Sequence, residues 1–184
     1  MTRETLDKKL QLLHQEILEM ESMVEYATLQ AVEALKRKDL QLAHQIYQGD
    51  REINARRIAL ENDCMVTIAT QQPIMASDLR HVASILEVVG ELERMGDYAK
   101  GIAKVCILIG VEPLIKPLID IPRMAEITTD MLGRAVQCFV SLDAENAALI
   151  LVEACSQASA SGTVMLLMPS SMTVSRSFTF TNSW

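Results

Sequence analysis

Leu6, Leu10, Leu13, Ile17, Met20, Val24, Ala27, Ala31 and Ala34 recur at alternating steps of four and three. That period keeps an apolar stripe on one face of a helix, so this segment is a long helix whose seam needs other helices to cover it. Lys36, Arg37 and Lys38 close it with positive charge, which suits the carboxyl end of a helix dipole. Asp39 is placed to cap a second helix, whose apolar positions are Leu42, Ile46, Ile53, Leu60, Cys64 and Ile68. Pro73 interrupts that pattern, because the residue before a proline tends to leave the helical region. A third helix starts near Ala76–Asp78, with Asp78 as its expected N-cap, and reaches about Gly110. Its seam is Val82, Ile85, Val89, Leu92, Gly96, Ala99, Ala103 and Cys106. A helix of some thirty residues is roughly 50 Å long, so the three pack side by side as an up-down-up bundle.

Gly110, Pro113, Pro117 and Pro122 mark a linker, and a fourth helix follows over about 121–140. Laying 20–47 over 124–151, an offset of 104 residues, matches Met20/Met124, Ala31/Ala135, Val32/Val136, Asp39/Asp143, Ala43/Ala147 and Ile46/Ile150. Asp39 and Asp143 then fall at the same helix–helix turn. The organisation expected is a first three-helix repeat over 1–110, a linker over 111–120, the start of a second repeat over 121–152, and an atypical tail over 153–184. That tail holds only two charged residues, Glu153 and Arg176, and no helical seam can be traced through it.

Charge narrows the function. Seventeen Lys and Arg against twenty-four Asp and Glu give a net charge of -7, where a nucleic-acid binder needs a basic face. The four cysteines, Cys64, Cys106, Cys138 and Cys155, form no metal or redox spacing and read as small apolar side chains in a reducing compartment. The amino-terminal residues lack the apolar core of a signal peptide, and the most apolar stretch, 102–111, is too short to span a bilayer and carries Lys104. A cytoplasmic protein without membrane insertion is expected. No Gly-rich phosphate loop, nucleophile–His pair or H-E-x-x-H is present, so neither catalysis nor an organic cofactor is expected.

Two spaced polar pairs stand out, Asp50/Asn54 on the second helix and Glu93/Asp97 on the third. In a hairpin turning near Pro73, Asp50 lies level with Asp97 and Asn54 with Glu93. Three carboxylates and an amide would then converge beside the seam. They are either solvated surface acids or ligands for a cation that accepts oxygen, such as iron, manganese, zinc or magnesium. The histidines lack the Glu-x-x-His spacing of di-iron bundles.

The stretch from Gln71 to Ala103 carries Gln71-Gln72-Pro73, then Asp78-Leu79-Arg80, then Leu92-Glu93-Arg94, Gly96-Asp97 and Ala99. It resembles the hallmark of the PhoU family, a QQP-x-x-x-DLR turn followed by a LERIGD-x-A helix. The resemblance covers roughly residues 1–152 and implies an all-α fold: a PhoU-like antiparallel three-helix bundle plus the first part of a second, incomplete bundle. It also implies a regulator of phosphate uptake and negative regulator of the phosphate-starvation response. Its partners would be the ATPase subunit of the phosphate ABC transporter and a sensor histidine kinase. The family's paired E(D)-x-x-x-D motifs bind metal; Glu93 and Asp97 match one motif, Asp50 matches the other, and Asn54 replaces its Asp. The second repeat's motif would lie beyond residue 184, so one metal site at most is expected.

Two other readings stay open: a purely structural or oligomerising bundle, and a carboxylate-bridged di-metal protein. Met124, Ile127, Met131 and Phe139 are expected to be left bare on the fourth helix, favouring a homodimer. Residues from about 153 are expected to be replaced sequence, disordered or loosely packed, with a strand-like contact through 175–181 as the rival.

Overall fold

The computed structural model describes residues 3–114 and 116–161 and contains five helices. They are α1 (Arg3–Arg37), α2 (Leu40–Thr70), α3 (Ala76–Ile109), α4 (Asp120–Ser141) and α5 (Ala144–Ser161). No strand occurs among the described residues, so the all-α fold follows from the seams as expected. Helices α1, α2 and α3 pack on one another, α4 lies against α1, and α5 packs mainly on α4. No helix of the described residues is long and apolar enough to cross a membrane.

Most of the periodic positions are buried, with Leu10, Ala27, Leu42 and Ile68 half-buried at the edge of the core. Leu13, Ile17, Met20 and Val24 of α1 meet Ile53, Leu60 and Cys64 of α2 and Val82, Ile85, Val89 and Leu92 of α3. Towards the α1–α2 turn the core is built from small side chains, Ala31, Ala34, Ala43, Ala99 and Ala103. There the Cys106 thiol donates to the Ala34 carbonyl at 3.4 Å. At Gly96 α3 packs tightly on α2: a Cβ there would stand 3.1 Å from Ile53 Cδ1.

The repeat is visible in backbone detail. Asp39 accepts from the Leu42 amide at 2.9 Å, and Asp143 accepts from the Asn146 amide at 3.0 Å. The residues just before them, Lys38 and Leu142, both take positive φ, 56° and 57°. Asp39 N–H donates to Ala34 and Asp143 N–H to Cys138, the same pair at the offset of 104. Two turns built alike need the same cap, since the first amides of a helix have no partner of their own.

Several expectations change. Asp78 does not cap α3; Met75 stands at the cap, and Asp78 lies in the first turn, buried and held by Arg3 Nη1 at 2.7 Å. The α4 stripe is not bare, because α1 covers it: Met131 is 4% exposed, and Leu132 and Val136 join the first bundle's core. Helix α5 also continues past 152 to Ser161, through Ala154, which is buried. Small residues such as Ala carry a helix without a visible seam, because they cost little side-chain entropy. The strand-like contact expected over 175–181 lies outside the described residues. Of the cysteines, Cys64 and Cys106 are buried, whereas Cys155 is exposed.

Candidate functional site

On helices α2 and α3 each of the three sequence-selected acids meets a protein cation, and Asn54 donates to Asp50. Asp50 sits inside the α2–α3 contact at 5% exposure, deeper than a position beside the seam would imply. Its Oδ2 takes Lys100 Nζ at 2.6 Å and Asn54 Nδ2 at 3.0 Å. Its Oδ1 is buried without a hydrogen-bond partner. Lys100 also reaches Asp97 Oδ1 at 3.5 Å, and its ammonium lies 5.9 Å from the Tyr47 ring centroid. The hydrogen bond from Lys100 to Asp50, against the desolvation of the ammonium, holds Lys100 above its ordinary pKa.

Glu93 belongs to a neighbouring pair. Arg57, one turn beyond Asn54 on α2, donates from Nε to Glu61 at 2.8 Å and meets Glu93 with Nη1 at 3.4 Å. The chain therefore places Asp50, Asn54 and Asp97 around Lys100, and Glu93 around Arg57. Hairpin counting cannot see that two long basic side chains, Lys100 and Arg57, reach in among these acids. Among the described residues no three His, Cys, Asp or Glu side chains are gathered as metal ligands. An ion at this place would have to move Lys100 aside, and the atom that would gain from it is the unpartnered Asp50 Oδ1.

A second cluster has no motif behind it. His14 on α1 and His81 on α3 meet Nε2 to Nε2 at 2.7 Å, with rings edge to face. Phe139 of α4 stacks on His81 at 5.6 Å between centroids. Burial lowers both imidazole pKa values; His14 is lowered further by His81, while Asp78 partly offsets the effect at His81. One neutral imidazole must donate and the other accept. Residues 67 apart in sequence carry no pattern that reasoning from spacing could have found.

The PhoU domain family matches residues 17–106 of the chain. The phosphate-specific transport system accessory protein PhoU homolog of Aquifex aeolicus is 36% identical over 138 residues, 75% of this chain and 62% of the relative. The crystal structure of the phosphate transport system regulatory protein PhoU from Streptococcus pneumoniae superposes with a TM-score of 0.74 at 30% identity, covering 82% of this chain and 70% of that one. The crystal structure of PhoU from Pseudomonas aeruginosa gives 0.71 at 26% identity over 88% and 84%. The chain spans less than two thirds of the length of curated relatives such as the Aquifex protein.

Proposed function

The chain belongs to the PhoU family, and from that premise we propose that it is a non-catalytic accessory that regulates phosphate uptake. The observation that carries the reading is the family match over 17–106, which includes both the Gln71–Arg80 segment and the whole Leu92–Ala103 stretch of α3. In this proposal the protein is cytoplasmic. It contacts the ATPase subunit of a phosphate ABC transporter and a sensor histidine kinase, and it holds the starvation response off when phosphate is plentiful.

The test is a tagged chain recovered from phosphate-replete cells. Transporter or kinase subunits should come with it, and a reporter of the starvation response should rise when the gene is deleted. Recovery of neither partner together with an unchanged reporter would sink the reading.

We propose, within the same reading, that an iron, manganese, zinc or magnesium ion can be taken up at Asp50, Asn54, Glu93 and Asp97. The support is the buried, unpartnered Asp50 Oδ1. A metal there would supply charge neutralisation between α2 and α3. Elemental analysis of protein purified without chelator should find it, and Glu93→Ala should lower the content. No metal, with no change on substitution, ends that part of the proposal. A homodimer also belongs to the reading, supported by the exposed Leu149, Leu151 and Val152 on α5.

A further inference from the structure

His14 of α1 and His81 of α3 are half-buried and meet Nε2 to Nε2 at 2.7 Å. A neutral pair makes that contact in one way. One ring donates from Nε2 and keeps a bare Nδ1, while the other accepts on Nε2 and carries its proton on Nδ1. A first added proton enters at the donor's Nδ1 and leaves the hydrogen bond intact. A second finds only the accepting Nε2. Two N–H groups would then point at each other across 2.7 Å, and two positive charges would share one half-buried site. The closed structure has room for one extra proton here and excludes the second.

The surroundings give no relief. Asp78, one turn before His81, is the carboxylate that acts on the pair, and Arg3 holds its oxygens at 2.7 and 3.4 Å. No acid or base of α2 or α4 is among the groups that shift either ring. Helix α4 faces the pair with Phe139, which stacks on His81 at 18° and stands edge-on to His14 at 6.4 Å between centroids. A ring face attracts one cation modestly and cannot accept the hydrogen bonds of two. The element that can yield is α4. Around Leu13, Ile17, Leu60 and Val89 the first three helices hold one another, whereas α4 rests on α1 and brings Val136, Phe139 and Val140 to this core. Helix α5 packs mainly on α4 and follows it. Moving Phe139 outward admits water to both rings and gives up fewer apolar contacts than parting α1 from α3.

We infer that the His14–His81 pair and Phe139 form an acid-released latch: a second proton on the pair lifts the carboxyl-terminal half of α4, with α5, off a first bundle that stays folded. An opening that takes up one proton refused by the closed form grows about tenfold for each pH unit below the ordinary histidine value. The inference involves no phosphate, metal or partner, so it can fail while the proposed function stands.

Hydrogen exchange of the full chain, corrected for its intrinsic pH dependence, reads the latch between pH 7.5 and 5.5. Protection at Val136, Phe139 and Val140 should fall by about tenfold, while Ile17, Leu60 and Val89 keep theirs. His14→Gln should flatten the change, because an amide oxygen accepts from a charged His81 as well as from a neutral one. The mirror substitution His81→Gln should do the same, so one folded variant suffices. Phe139→Ala should loosen the same α4 amides already at pH 7.5. Unchanged protection of α4 at pH 5.5, an equal loss in the first bundle, or the same loss in the glutamine variants would each overturn the inference. So would Phe139→Ala leaving α4 as protected as before.

Discussion

Replacing Lys100 with methionine tests how far one ammonium holds α2 against α3. Methionine keeps most of the stem's apolar contact and removes the charge. Asp50 then keeps its burial and one bond, from Asn54 Nδ2 at 3.0 Å, while Oδ1 remains without a partner. Removing one member of a buried ion pair costs about 3–5 kcal/mol, most of it the uncompensated charge left behind. Here the Lys100 side chain is 32% exposed, so water shares the role of partner. The expected loss is therefore about 2–3 kcal/mol. For a domain of this size that lowers the melting temperature by roughly 4–12 °C. Urea and thermal unfolding followed by circular dichroism read both quantities. A second variant, Lys100→Met with Asp50→Asn, removes both charges and should recover more than half of the loss, since a neutral amide is far cheaper to bury. A single-variant loss below about 0.5 kcal/mol, or no recovery in the double variant, would refute the reasoning and class the pair with weak surface bridges.

The histidine pair makes stability pH-dependent. Both pKa values are lowered in the fold, so below the ordinary value of 6.5 the unfolded chain takes up protons that the folded chain resists. Stability is then present above that pH and is lost as pH falls through it; the melting temperature should drop between pH 7.5 and 5.5, and His14→Gln with His81→Gln should flatten the slope. Gly96→Val should cost about 2 kcal/mol by overpacking Ile53, whose Cδ1 would stand 3.1 Å from the new Cβ. Adding Ile53→Ala should return part of it in a double-mutant cycle by chemical denaturation, and strict additivity would deny the contact. Light scattering at high concentration should find a dimer that Leu149→Lys with Val152→Lys returns to monomer, because those exposed side chains lie one turn apart on α5. A monomeric parent chain would remove that expectation.

The first four helices were legible in the residues because helix formation depends on local physics, whereas the run of α5 past 152 to Ser161, which has no seam, was not. The period of Leu6 to Ala34 and of Val82 to Cys106 selects a helix and names its buried face, and both appear as the core. Asp39 and Asp143 announce two turns built alike, since a cap acts within three residues of itself. The Gln71–Asp97 hallmark carried the family, and hairpin counting paired Asp50 with Asp97 and Asn54 with Glu93. What they touch was decided only by tertiary structure. Lys100 lies 50 residues from Asp50, His81 lies 67 from His14, and Arg3 lies 75 from Asp78. Glu21 is buried, and Gly133 of another helix stands where a Cβ would be 3.5 Å from its Oε1. Long side chains swing through several ångströms about a helix axis, and the crossing of the helices selects which partner they meet. Periodicity states which face turns inward, but the charge balance of that face is settled where two helices close on each other.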